Sequence, residues 1–511
     1  MTPKRLLYLS HRWLGVAMCL LLAMWCVSGV VMMYVGFPEL TQDEYYAGLE
    51  PLAADRIAVG PEEPLTMVDS GVNVEQLLLT SSGERPVYLL KAAGAAWQGM
   101  YADTGGRIRQ MPADAVVASA VHFYKAQYPE QTAVGEYLEP LYIDQWSVSD
   151  GLHPYRPLHR VAIDDGLGTE LYLSSLTGQV VRDTCRRERI WNWLGANLHW
   201  IYPLQLRKHR SAWENVIIVL ALAGLVSVIT GAIIGFMRLR LKRRYPDGSR
   251  SPYRGMTKYH HVIGLAGLVF LLTFLFSGLM SVGPWGIFDS NSSFAEQRQR
   301  YQQPDGLLRS TPAYARSENI RQLIRENPGF PVKQVAWHWI GGKSHVSLHG
   351  SAREVQHLLA VGETESLAQR IEGRAAKLIP GSSILYWQLL DSYDLYYYSH
   401  HNSARPLPVL RVKFDDPEAT WFHIDPSTGQ ILSRLTERRR VERWIYQGLH
   451  TYDFNLLISN RPAWDVWMIF LCGFVFVFSV TSVVIAVRYL GRVSTYIAHR
   501  RSARRWRSRD R

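Results

Sequence analysis

At 511 residues, with a formal net charge of +12 and 47% hydrophobic residues, the chain has room for several domains but spreads neither property evenly. Its four cysteines exclude a disulfide scaffold, because Cys19, Cys26 and Cys472 fall in apolar runs and leave Cys185 alone outside them. The basic excess sits in three short segments, which argues against nucleic acid as its reason.

Residues 1–12 form a short basic start with Lys4, Arg5 and Arg12. Residues 13–35 are then mostly apolar, and about 20 such residues cross ~30 Å of hydrocarbon as a helix. The run continues through Val30-Val31-Met32-Met33-Tyr34, too long for a signal h-region, so an uncleaved anchor is expected. Residues 36–212 read as an α+β domain. Strands are expected at 87–91 and 97–101, closed by the turn Asp103-Thr104-Gly105-Gly106, then a helix at 114–129 and strands at 160–163 and 170–173.

Residues 213–237 are a second apolar span, 238–259 a basic loop, and 260–282 a third span. Residues 283–462 repeat the outer scheme, with helices at 317–326 and 365–379 and strands at 334–339, 344–348, 411–414 and 420–424. Residues 463–487 are the fourth span and 488–511 a basic tail. Residues 1–12, 238–258 and 488–511 hold three, eight and nine basic side chains against only Asp247 and Asp510. By the positive-inside rule both termini are expected in the cytoplasm and both outer domains in the periplasm of a Gram-negative cell.

The chain is an internal duplication. Thr177-Gly178-Gln179 recurs as Thr428-Gly429-Gln430, Leu198-His199 as Leu449-His450, and Trp213 as Trp464, all 251 residues apart; the first helices match at 249. Each half is thus helix, outer domain of two small helix-plus-sheet modules, helix. The repeat selects four of the 17 histidines, His11 with His260 and His199 with His450, one pair for each membrane face. His11 to Ser28 and His260 to Ser277 are the same 17-residue step.

Paired neutral imidazoles at a membrane boundary suit axial ligation of b-type haem. Gly15 and Gly29 below His11, and Gly264, Gly267 and Gly278 below His260, leave room for a flat macrocycle, with Trp25 and Phe274 lining the gap between two sites. A lone histidine at a helix end is usually an interfacial polar residue, and glycine at this spacing usually a packing surface; two pairs carried through a duplication shift the weight to ligation. His261 competes with His260. Outside the spans, His153, His159, His338, His345, His400, His401 and Tyr396-Tyr397-Tyr398 raise a second, metal or chelate site, with His153 and His400/His401 near equivalent places before Arg156-Pro157-Leu158 and Arg405-Pro406-Leu407. No P-loop, GxGxxG, HExxH or intramembrane carboxylate cluster is present, so electrons would come from quinol or a separate donor. No residue reads as catalytic in itself.

The HxxxG helix starts, the strand-turn units ending in Thr-Gly-Gln and the Leu-His before the next helix resemble PepSY-associated transmembrane proteins, a group that includes inner-membrane ferrisiderophore reductases. The resemblance implies a four-helix core in the lipid bilayer with periplasmic PepSY domains, passing electrons outward to reduce a ferric siderophore or other ferric chelate so that the iron is released. It also implies haem b, two groups for two pairs, with His11, His260, His199 and His450 as iron ligands. The second copy departs at Thr481-Ser482, where the first has Thr230-Gly231. Competing expectations are a membrane-anchored PepSY protein that binds or restrains a periplasmic peptidase, and a metal or siderophore transporter subunit.

Overall fold

The computed structural model describes residues 2–69, 72–304, 312–358, 365–399 and 405–507, with side chains placed up to Tyr496 in the last helix. It divides into a helical unit of Met1–Phe37, Trp191–Phe288 and Val441–Arg511, and an α+β unit of Pro38–Ile190 and Asp289–Arg440.

The first helix of the helical unit spans Pro3–Met32. Thr2 caps it by accepting from the Arg5 amide, and Pro3 opens it where no amide hydrogen is needed. It therefore starts ten residues before the expected span, and His11 lies two turns inside it rather than at its mouth. This helix, Arg210–Arg238 and the last helix, Arg461–Arg507, are long and apolar enough to cross a membrane. Their outward surface is aliphatic: Leu20, Val219 and Val466 are each about two-thirds exposed, as a lipid-facing surface requires.

The expected third span differs. It is two helices, Met256–Ala266 and Leu268–Met280, bent by 67° at Gly267. A Cβ at Gly267 would come 2.4 Å from the Phe474 ring, and one at Gly264 2.7 Å from Phe478. These two glycines admit aromatic rings of the last helix.

In the α+β unit fifteen strands are described: β1 (Val74–Ser82), β2 (Arg85–Ala92), β3 (Trp97–Tyr101), β4 (Arg107–Ile108), β5 (Gly135–Leu141), β6 (Leu158–Ile163), β7 (Thr169–Ser174), β8 (Val180–Thr184), β9 (Gln334–Ile340), β10 (Lys343–His349), β11 (Val355–Leu358), β12 (Ile384–Leu390), β13 (Val409–Phe414), β14 (Trp421–Ile424) and β15 (Ile431–Leu435). The strands expected from sequence all form, and the helix at 114–129 forms as Ala113–Gln127. The two outer segments do not make separate domains. They share one seven-stranded sheet in the order β11-β10-β9-β1-β2-β3-β4, joined where β1 pairs antiparallel with β9 through Leu77–Trp337, Leu78–Ala336 and Leu79–Val335.

Both faces of this sheet are covered, which is why its strands read as near-continuous apolar runs. Tyr88 and Leu90 of β2 enter a core with Leu77, Leu79, Trp337 and Val346, while Val87 and Leu89 point to a second core with Phe123, Val161 and Leu171. The other strands form two four-stranded sheets, β5-β6-β7-β8 and β12-β13-β14-β15, one from each half.

The repeated Thr-Gly-Gln turn docks each of these on the shared sheet. Gly178 and Gly429 have φ of +71° and +66°, and a Cβ there would collide with Ser82 of β1 and Ile340 of β9 respectively. The following glutamines complete the contact: Gln179 Nε2 donates to Ser81 O at 2.9 Å, and Gln430 Nε2 meets His338 Nδ1 at 2.8 Å. Glycine is thus required twice over, by its backbone and by the absence of a side chain.

Candidate functional site

The helical unit brings the four repeat-selected histidines together in pairs. His11 faces His260 with ring centroids 6.3 Å apart, and His199 faces His450 at 6.1 Å. A ligating ring nitrogen sits about 2 Å from its metal, so imidazoles on opposite sides of one ion have centroids about 6 Å apart. Ordinary ring contacts also span about 4.5 to 7 Å, so the spacing admits ligation without requiring it.

In all four rings Nδ1 is engaged. His11 Nδ1 meets Ser227 O at 3.0 Å; His260 Nδ1 meets Thr481 Oγ1 at 3.3 Å and Ser482 Oγ at 3.1 Å. His199 Nδ1 meets Ser28 Oγ at 3.2 Å and Trp25 O at 3.1 Å; His450 Nδ1 meets Ser277 Oγ at 3.0 Å. A carbonyl acceptor fixes the proton on Nδ1 and leaves the Nε2 lone pair for a metal, the usual support of a ligating histidine. Burial pushes His199 down to about 4 and His450 to about 3, so both are neutral at physiological pH, the state ligation needs.

His260 and His261 differ in their surroundings. His261 meets Ser251 Oγ through Nδ1 at 2.8 Å and Gly235 O through Nε2 at 2.9 Å. Both of its nitrogens are spent on backbone and loop, whereas His260 faces His11.

Each pair stands among small and aromatic neighbours. Gly29 lies 3.3 Å from the His199 ring and Gly278 3.7 Å from that of His450, measured from an added Cβ. Phe478 stacks on His260 at 4.8 Å, Tyr446 stacks on His450 at 5.4 Å, and Phe274 meets His450 edge-on at 5.7 Å. Sequence reading placed Trp25 and Phe274 between the pairs; they pack there with Leu22, Leu271, Leu275 and Phe478. It missed Phe478 and Tyr446, which sit at ring-stacking distance but carry no repeat signal, their counterparts being Ser227 and Gly195. From His11 to Ser28 the first helix rises about 25 Å, so the two pairs are separate sites.

The second site anticipated outside the spans does not gather. Among the described residues no group of three or more His, Cys, Asp or Glu is placed to hold a metal ion. His153 is exposed beside Arg156, and buried His159 bonds Tyr137 OH at 2.8 Å. His338 bonds Ser347 Oγ at 2.8 Å and His345 bonds Thr428 O at 2.9 Å. Tyr397 is buried with its hydroxyl on Pro406 O, and Tyr396 meets the Trp421 ring edge-on. These tyrosines belong to a covering loop that both halves build alike: Asp144 and Asp394 each accept two amides and face Arg160 and Arg411. β6 and β13 start 251 residues apart, so Pro157 corresponds to Pro408, not Pro406, and the matching of His153 with His400/His401 fails; His400 and His401 lie outside the described residues.

Burial of the histidines of β9 and β10 is expected to make the α+β unit acid-sensitive. Burial lowers His345 to about 4, with the carbonyl of Thr428 and Asp425 opposing and Arg370 and His357 adding to the shift. The unfolded chain takes up this proton near 6.5, so the share of stability that depends on neutral His345, about 3 kcal/mol, is lost as pH falls from about 6.5 to about 4. Denaturant unfolding of the full chain at pH 7 and pH 4.5, followed by tryptophan fluorescence, should show that loss, and His345→Gln should shrink the difference.

The model of a family described as "PepSY-associated TM region" matches residues 8–349, more than half of the chain. No curated protein matches it.

Proposed function

The chain belongs to the PepSY-associated TM region family and is a membrane protein, and from that premise we propose that it is an inner-membrane haem protein that passes electrons to its periplasmic face and reduces a ferric chelate there, a ferric siderophore above all. The observation that carries this reading is the pairing of four histidines by a duplication, His11 with His260 and His199 with His450, the rings facing each other and each with its Nδ1 hydrogen-bonded.

In this reading the bent pair Met256–Met280 counts as one span, giving four, with the basic ends cytoplasmic and residues 38–190 and 289–440 outside. The donor set fits b-type haem: two neutral imidazoles per site and no further protein ligand. Bound there, haem supplies one-electron redox chemistry. The chain's own work is to hold and insulate. His11 and His260 would grip one iron and His199 and His450 the other; Ser28, Ser277, Thr481, Ser482 and the Ser227 carbonyl orient the rings. Phe478, Phe274 and Tyr446 keep water from them.

The ferric chelate is substrate. Hard oxygen donors hold ferrous iron less well than ferric, so gaining one electron loosens the metal and frees the chelator. With no dinucleotide motif in the chain, the electron comes from quinol or a separate protein donor. A reduced-minus-oxidised absorption spectrum of the purified protein tests the reading: b-type bands are expected, and their absence from protein made with ample haem would end it.

A further inference from the structure

β5 and β12 are equivalent strands of the two halves, and each is the edge of its four-stranded sheet. An edge strand offers a row of unpaired amides and carbonyls to any other strand, and natural proteins guard such edges with charge, proline or bulges. β5, Gly-Glu-Tyr-Leu-Glu-Pro-Leu, has all three: exposed Glu136 and Glu139, Pro140, and a register shift in its middle between Tyr137 and Glu139. β12, Ile-Leu-Tyr-Trp-Gln-Leu-Leu, has neither charge nor proline. Its register shift lies at its start, between Ile384 and Tyr386, so Tyr386–Leu390 is a regular edge, unguarded among the described residues. Leu385, Tyr386 and Leu389 are 67%, 51% and 53% exposed.

We propose that β12 is the contact strand of a twofold homodimer, pairing antiparallel with β12 of a second copy so that two four-stranded sheets become one of eight. The strand's own sequence selects the occupant. An antiparallel pair about a twofold axis through Gln388 sets Gln388 opposite Gln388, Trp387 opposite Leu389 and Tyr386 opposite Leu390. The amide of glutamine both donates and accepts, so it is complementary to itself, and the flanking pairs are apolar. Like charges would meet like in such a pairing, as Glu136 and Glu139 would in β5, and β12 presents none. Copies in one membrane also share an orientation, which a twofold axis along the membrane normal preserves.

The test uses the full chain in lipid nanodiscs. Light scattering should give the mass of two copies for the wild type and of one for Leu389→Lys, whose exposed side chain leaves the fold intact, while Leu138→Lys on β5 should still give two. In native membranes, Gln388→Cys in a Cys185→Ser background should form a disulfide-linked dimer under mild oxidant, and Leu138→Cys should not. A single-copy mass for the wild type, or two copies retained by Leu389→Lys together with no cross-link at Gln388→Cys, would overturn the proposal. None of these readouts depends on haem.

Discussion

Replacing His450 by alanine is expected to abolish one of two haem signals in the purified protein and leave the other unchanged. The selectivity follows from separation: the two pairs lie about 25 Å apart along the first helix, so removing one imidazole empties its own site of a ligand and leaves the distant pair untouched. His199→Ala should remove the same signal, because His199 and His450 face each other at 6.1 Å. His11→Ala and His260→Ala should remove the other. His261→Ala should spare both, since that ring is tied to Ser251 and Gly235. The measurement is the reduced-minus-oxidised spectrum and haem-to-protein ratio of each variant. Retention of both signals in His199→Ala and His450→Ala would sink the pairing.

The second large effect comes from a residue with no side chain. Gly231 lies against His11, where an added Cβ would stand 2.6 Å from Cε1 and 3.0 Å from Nδ1. Gly231→Ala must push the ring aside and with it the bond from Nδ1 to Ser227 O. Disturbing the support of a metal ligand typically costs about 10 to 100-fold in affinity, so the signal of the His11–His260 pair should fall by at least about tenfold while the other persists. The equivalent position in the second half is Ser482, whose hydroxyl holds His260 Nδ1 at 3.1 Å. Ser482→Gly removes that partner but leaves Thr481 at 3.3 Å, so its effect should be smaller. Equal and full haem content in Gly231→Ala would show that His11 is not held as described.

The departure at Thr481-Ser482 from Thr230-Gly231 therefore has a structural meaning. In one half the ring is held by a backbone carbonyl and needs the space of a glycine; in the other the hydroxyls do the holding. The substitution is visible in the sequence, but its consequence depends on which ring packs there. Phe478 shows the same limit: it stacks on His260, yet in sequence it is one phenylalanine among several in an apolar helix.

Local signals, by contrast, read well. Alternation and turn residues located β2, β3, β6, β7, β9, β10, β13 and β14, whose residues are apolar and β-branched enough to be distinct. They missed β1, β4, β5, β8, β11, β12 and β15: β4 has only two residues and β11 four, while β12, as apolar as any of the strands found, is an edge strand whose pairing with β13 is a tertiary fact. Helix ends were misplaced where polar residues extend an apolar helix, as at Pro3 to Arg12.

The sequence by itself determined that the chain is duplicated, that four histidines survive the duplication as two pairs, and that its basic excess is gathered in three segments beside its apolar runs. Those properties are periodic or compositional and need no contact to be seen. Only the tertiary structure decided that His260 rather than His261 faces His11, that the apolar run expected as a third span is two helices bent at Gly267, and that the two outer segments merge through β1 and β9 into one sheet. Each of those depends on which residue, from 207 positions away for Gly267 and Phe474 to 260 for Leu77 and Trp337, fills the space beside a ring, a glycine or a strand edge, and nothing in the local chain records that choice.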